Sequence, residues 1–147
     1  MEIKKNQALF TSNSDEYATP AWLFNQLNTE FKFTLDAAAN KDNTKCALYY
    51  DKQQDGLKHS WKRKRVFCNP PYSQIKDWVF KCYTESYTAE VIVLLIPART
   101  DTRHFHEYIY NKHNVEIRFI KGRLKFNNNK HGAPFPSMLA IFRKQKI

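Results

Sequence analysis

A chain of 147 residues with 42% hydrophobic content suits one domain with a single buried core, and excludes a disordered chain. No apolar run approaches the ~18 residues that span a bilayer, and no apolar stretch follows Met1-Glu2-Ile3-Lys4-Lys5 as a signal peptide requires, so a cytoplasmic protein off the membrane is expected. Lys plus Arg outnumber Asp plus Glu by 24 to 14, and the net charge of +10 with 15% aromatic residues favours a polyanionic partner with stackable bases.

Residues 1–14 are polar and predict a flexible arm. Thr19 as N-cap and Pro20 at the first helical position then open a helix, with Leu23, Phe24 and Leu27 facing the core and an end near Glu30. Phe31 to Leu35 alternates and reads as the first strand, ending at Asp36-Ala37-Ala38-Ala39. An acidic residue followed by small ones at a strand end lets a nucleotide-like ligand approach the backbone, although Asp is also a common helix cap. Residues 40–60 are polar, with Ala47 to Tyr50 as a short strand and Asp55-Gly56-Leu57 as a turn. Lys62-Arg63-Lys64-Arg65 is the densest charge run. It reads as a solvated loop, and as a phosphate contact if DNA binds.

Val66 to Cys68 reads as a buried strand that stops at Asn69-Pro70-Pro71-Tyr72. Neither proline can extend a ladder, and Pro70 pushes Asn69 away from the helical region, so a stiff corner forms at a strand's carboxyl end. An isolated Asn-Pro-Pro is ordinarily turn punctuation. Here it stands where open α/β sheets bind ligands. Ser73 is predicted to cap a helix carrying Ile75, Trp78, Val79 and Cys82 and running to about Thr88. Val91 to Ile96, apolar throughout, predicts a strand covered on both faces. Thr100 or Asp101 then caps a short helix with Phe105, Tyr108 and Ile109. Val115 to Ile120 is a strand, and Leu124 to Phe126 is placed as its hairpin partner after a turn at Lys121-Gly122-Arg123. Residues 127–136 form a long polar loop, and Ser137 to Phe142 closes the sheet.

Strands alternating with helices make one α/β domain with a mostly parallel sheet and a C-terminal antiparallel hairpin. Its strand ends at Asp36, Asn69 and Pro97 open on one edge. His104 and His106 are two apart, which fits no common zinc spacing, so no metal is expected. The three cysteines lack CxxC spacing, and Cys68 inside its apolar strand reads as an inert thiol.

The corner makes chemical sense as a holder for a planar amine. The Asn69 side-chain oxygen and the Pro70 carbonyl can each accept one N–H, favouring a pyramidal nitrogen and stabilising the positive charge that grows as it attacks. Tyr72 can stack on the ring, and a base in a duplex must be flipped out to reach it.

These features resemble the phage-type Dam family of DNA N6-adenine methyltransferases over roughly residues 15–143. The matching blocks are Tyr17-Ala18-Thr19-Pro20; Phe33-Thr34-Leu35-Asp36; Asp55-Gly56-Leu57 with Trp61; Phe67 to Tyr72 with Trp78; Leu95 to Thr102 with Phe105-His106; Ile117-Arg118-Phe119 with Gly122 to Phe126; and Ala133 to Ser137. The resemblance implies a Rossmann-like S-adenosyl-L-methionine-dependent methyltransferase domain over 15–147. Asn69, Pro70, Pro71 and Tyr72 are then catalytic, and Thr19, Pro20, Asp36, Ala37, Ala38 and Asp55 bind the cofactor. No glycine-rich loop follows Asp36, unlike the wider superfamily. Double-stranded DNA is the implied partner, with Arg99, Thr100, Arg103, Lys125, Asn128 and Lys130 as contact candidates. A monomer or weak dimer is expected, and protection of phage DNA from restriction is the implied purpose. The alternatives are RNA-adenine or N4-cytosine methylation, or a basic DNA-binding module without catalysis.

Overall fold

The computed structural model describes residues 17–128 and 131–146. The predicted N-terminal arm, and with it Lys130, lies outside them.

Helix α1 spans Ala21–Phe31. Pro20 is its N-cap, not its first helical residue, with an extended ψ of 135° and a carbonyl that accepts from Leu23 and Phe24, both at 3.1 Å. Thr19 does not cap the helix, because its hydroxyl is turned toward Asn69. Leu23, Phe24, Leu27 and Phe31 are buried. Lys32 then adopts a left-handed φ of 52° and closes the helix with its N–H on the Asn28 carbonyl. The predicted first strand is therefore cut to two residues, β1 (Leu35–Asp36), since the helix takes Phe31 and the reversal takes Lys32. Ala47 to Tyr50 forms no strand and contributes a single parallel bridge, Asp36 to Tyr49.

β2 (Arg65–Cys68) and β3 (Val91–Pro97) follow the predicted runs. Between them α2 spans Ile75–Glu85, with Gln74 rather than Ser73 at the N-cap because Tyr72–Gln74 form a 3-10 turn ahead of it. α3 (Arg103–Tyr108) is capped by Thr102, whose hydroxyl accepts from the Phe105 N–H, and not by Thr100 or Asp101. β4 is Val115–Phe119 and β5 is Ser137–Arg143.

The sheet order is β1-β2-β3-β5-β4. The β1–β2 and β2–β3 pairings are parallel, and β3–β5 and β4–β5 are antiparallel, so the sheet is mixed rather than mostly parallel. The cause is β5, which lies along all seven residues of β3 from Val91–Arg143 to Pro97–Ser137 and displaces β4 to the edge. β5 thus fills the interior instead of closing the sheet. Leu124 to Phe126 does not form the predicted hairpin strand: Phe126–Asn128 is a 3-10 turn with Asn127 at φ 57°. The antiparallel hairpin is β4 with β5.

Alternation sends Val66, Cys68, Ile92, Leu94 and Ile96 to one face, against Trp78, Val79, Cys82 and Phe105 of the helices α2 and α3. Phe67, Val93 and Leu95 go to the other, against α1 and the Leu124, Phe126, Ala133 and Phe135 side chains of the β4–β5 connection. A strand sandwiched in this way needs apolar residues at every position, which accounts for β3. Parallel β1, β2 and β3 bring Asp36, Asn69 and Ala98 to one edge.

Candidate active site

Asn69 leaves β2 where Cys68 stops pairing, and Pro71 keeps the chain extended (φ −60°, ψ 133°) before the turn into α2. The Asn69 amide nitrogen donates to the Tyr17 carbonyl and to the Thr19 hydroxyl, the latter at 3.0 Å. A backbone carbonyl only accepts, so the NH2 must face it and the Asn69 oxygen must point away. That oxygen is buried and has no hydrogen-bond partner. A buried acceptor left unpaired costs about 1–3 kcal/mol. It is placed to receive a donor the protein does not supply.

The Tyr72 ring is stacked on Tyr17, with centroids 4.8 Å apart and planes 16° from parallel. Phe135 and Phe126 meet it edge-on at 5.2 and 6.4 Å. Burial pushes the Tyr72 hydroxyl's pKa up, Tyr17 adds to this, and the nearby Arg99 cation acts against it. The hydroxyl has no partner.

Beside this corner, reached at Pro71, is a cleft of about 360 Å³. Its walls are Ala38 to Asn40 and Asn43 after β1, Tyr50 to Lys52, Asp55 and Gly56, and Pro71, Ser73, Gln74 and Trp78. Of the predicted cofactor residues, Ala38 and Asp55 line it. Asp36 and Ala37 are buried outside its lining, Thr19 and Pro20 are not among its lining residues, and the Thr19 hydroxyl meets Asn69. Asp36 is 3% exposed; burial raises its pKa to about 6 even though the Lys45 and Ala38 N–H groups donate to it. It fastens the loop that forms the cleft wall. Asp55, at φ 60°, accepts from the Leu57 N–H at 3.0 Å and so pins the Gly56–Lys58 turn. Gly56 is packed so closely that a Cβ there would lie 2.2 Å from the Ala37 carbonyl oxygen.

Two cleft residues escaped the sequence reading. Asp51 follows Tyr49-Tyr50 directly, an acidic residue at the end of a sheet-edge segment, the same signal that singled out Asp36. Tyr50, stacked on His59 at 4.6 Å, forms an aromatic wall. The Trp78 indole N–H, from the same cleft-lining residue, is buried without a partner.

The Dam family model, described as DNA N-6-adenine-methyltransferase, matches residues 6–146, nearly the whole sequence. The chain belongs to the Dam family. It is 29% identical over 139 residues to the DNA N-6-adenine-methyltransferase of Haemophilus phage HP1, covering 89% of this chain and 80% of that one. It is 35% identical over 112 residues to the protein of the same name from Escherichia phage T1, covering 75% of this chain but 46% of that one. A solved Pyrococcus horikoshii structure, provisionally described as an RNA methyltransferase, superposes with a TM-score of 0.46 at 14% identity over 68% of this chain and 52% of that one, too distant to carry an argument.

In this Dam-family chain the basic residues divide by position. Arg99 and Thr100 are exposed just past β3, at the edge that carries Asn69. Arg103 is exposed and paired with Glu107, a surface ion pair that contributes little. Lys125 is exposed on the β4–β5 connection, and the Asn128 side chain and Lys130 lie outside the described residues. The Lys62 to Arg65 run stands at the opposite end of β2 from Asn69, and Arg65 is bound to Glu90 and to the Phe31 carbonyl. No group of three or more metal-ligating side chains occurs among the described residues. The His106 Nε2–H donates to the Thr100 carbonyl at 2.8 Å. Cys68 is fully buried, and burial with Cys82 beside it pushes its thiol pKa well up, so it is no nucleophile. Among the described residues no helix is long and apolar enough to cross a membrane.

Proposed function

We propose that this protein transfers a methyl group from S-adenosyl-L-methionine to the N6 amino group of adenine in DNA. Family membership supports the reaction. The observation that supports the site is the Asn69 oxygen, buried, oriented by two hydrogen bonds on its own nitrogen, and lacking a donor.

In this reading the flipped adenine presents its amino group to Asn69 and Pro70. One N–H goes to the Asn69 oxygen and one to the Pro70 carbonyl, drawing the nitrogen lone pair out of the ring and favouring the charge that develops on attack. The Tyr72 ring carries the base by stacking. The prolines hold the corner rigid, so no reorganisation is needed at the moment of transfer. No residue need act as a general base, because the proton leaves to solvent after attack.

The cleft beside Pro71 fits the cofactor by the chemistry of its lining. Asp51 and Asp55 supply carboxylates for ribose hydroxyls and an adenine amine, Tyr50 and Trp78 supply ring surface, and the backbone of Ala38 and Ala39 allows close approach. Bound there, S-adenosyl-L-methionine supplies an electrophilic methyl group. Asp36 acts on this site indirectly, through the loop it ties down. Parallel β1, β2 and β3 with helices on both faces, flanked by the antiparallel β5–β4 pair, read as a Rossmann-like methyltransferase variant. Arg99 and Lys125 are the phosphate contacts we favour for double-stranded DNA.

The test is transfer of labelled methyl groups from S-adenosyl-L-methionine to duplex DNA, with nucleoside analysis of the product. N6-methyladenine is expected. Label in RNA, protein or cytosine but never in DNA adenine overturns the reading.

A further inference from the structure

One face of Tyr72, the ring proposed to stack on the base, is already taken. Tyr17 lies on it at 4.8 Å and 16°, rings in contact, leaving no gap for a purine. Tyr17 is also ringed edge-on by Phe126 and Phe135, at 5.3 and 5.9 Å. An aromatic ring thus fills an aromatic-walled slot beside an oriented but unsatisfied amide oxygen. The segment that carries this ring is fastened on two sides. The Tyr17 carbonyl and the Thr19 hydroxyl hold the Asn69 nitrogen. The Ala18 N–H donates to the Asn127 side-chain oxygen at 2.6 Å, and the Asn127 N–H returns to the Ala18 carbonyl at 3.1 Å.

We propose that Tyr17 is a stand-in for the target base: it fills the stacking position on Tyr72 in the free enzyme and leaves it when adenine enters. The inference rests on the adenine-methylation reading of the same site. A ring of similar area keeps the slot from collapsing or flooding, and the Ala18–Asn127 pair of bonds latches it. The bonds that orient Asn69 come from the Tyr17 backbone carbonyl and the Thr19 hydroxyl, not from the ring, so the amide stays set as the ring leaves. Local bonds such as the Ala18–Asn127 pair break and re-form without unfolding the sheet.

Amide hydrogen exchange at Ala18 and Asn127 in the full chain tests the exchange of rings. The enzyme is held with S-adenosylhomocysteine and a duplex carrying the sequence context in which it methylates DNA, and compared with the same duplex lacking the target adenine. We expect Ala18 and Asn127 to exchange at least tenfold faster on the target duplex. In parallel, Tyr17→Ala should quench 2-aminopurine deoxynucleoside fluorescence at least threefold more than wild type, and Tyr17→Phe should match wild type. If Tyr17→Ala fails to fold, the wild-type exchange measurement decides. Equal or slower exchange at Ala18 on a duplex that the enzyme methylates overturns the stand-in alone. Absence of methyl transfer to any DNA overturns the function reading and the stand-in with it.

Discussion

Thr19 and Asn69, fifty residues apart in the chain, are joined by a hydrogen bond of 3.0 Å from the asparagine nitrogen to the threonine hydroxyl. In the proposed reading, the bond gives Thr19 a part in orienting the Asn69 amide. Thr19→Val removes the acceptor at nearly constant shape. A neutral hydrogen bond is worth about 1 kcal/mol, so kcat should fall about five- to tenfold. Thr19→Ser should restore it, and the cofactor dissociation constant should stay within twofold. A loss confined to cofactor affinity, with kcat intact, would return Thr19 to the cofactor site.

Gly56 should tolerate no side chain. A methyl group would meet the Ala37 carbonyl oxygen at 2.2 Å and the Trp78 ring at 3.0 Å. Overpacking of this kind costs about 1–3 kcal/mol. Urea unfolding of Gly56→Ala should show that loss, together with weaker cofactor binding, because the cleft walls at Ala38 and Asp55 move with it. An unchanged unfolding midpoint would contradict the packing described at this turn.

Asp36 makes stability depend on pH in the direction opposite to most carboxylates. Burial raises its pKa from 3.8 to about 6. Between those values the folded chain binds the proton and the unfolded chain does not, so this residue's contribution falls as pH rises. It is fully present below pH 3.8 and lost above about 6. The difference amounts to about 3 kcal/mol. Asp36→Asn should therefore gain on wild type by about that amount between pH 4 and pH 7 in urea unfolding. Parallel pH profiles for the two proteins would show that Asp36 stays ionised in the fold.

Much of this architecture is legible in local pattern. The unbroken apolar run at Val91 to Ile96 announces a strand covered on both faces, and the two prolines after Asn69 announce a stiff corner at a strand end. What local pattern cannot carry is pairing between distant segments. Nothing in Ser137 to Phe142 says that it inserts between β3 and β4, and Phe33 cannot show that Lys32 has already reversed the chain. The site divides the same way. The corner at Asn69 and the turn at Asp55-Gly56-Leu57 are visible from their neighbours in sequence. Tyr17 on Tyr72, and Thr19 on Asn69, are contacts made across the fold by residues whose local surroundings read as a helix start.

In the proposed reaction the Asn69 oxygen receives the amino group of adenine. Expression in a host lacking its own methylases, followed by single-molecule sequencing of host DNA, tests it most directly when wild type is compared with Asn69→Ala. Loss of one such polar contact in the transition state costs about 10²–10³ in rate. N6-methyladenine is expected in a defined sequence context with wild type, and should disappear with a folded Asn69→Ala protein. Methylated adenine at equal levels with both proteins would contradict that role for Asn69.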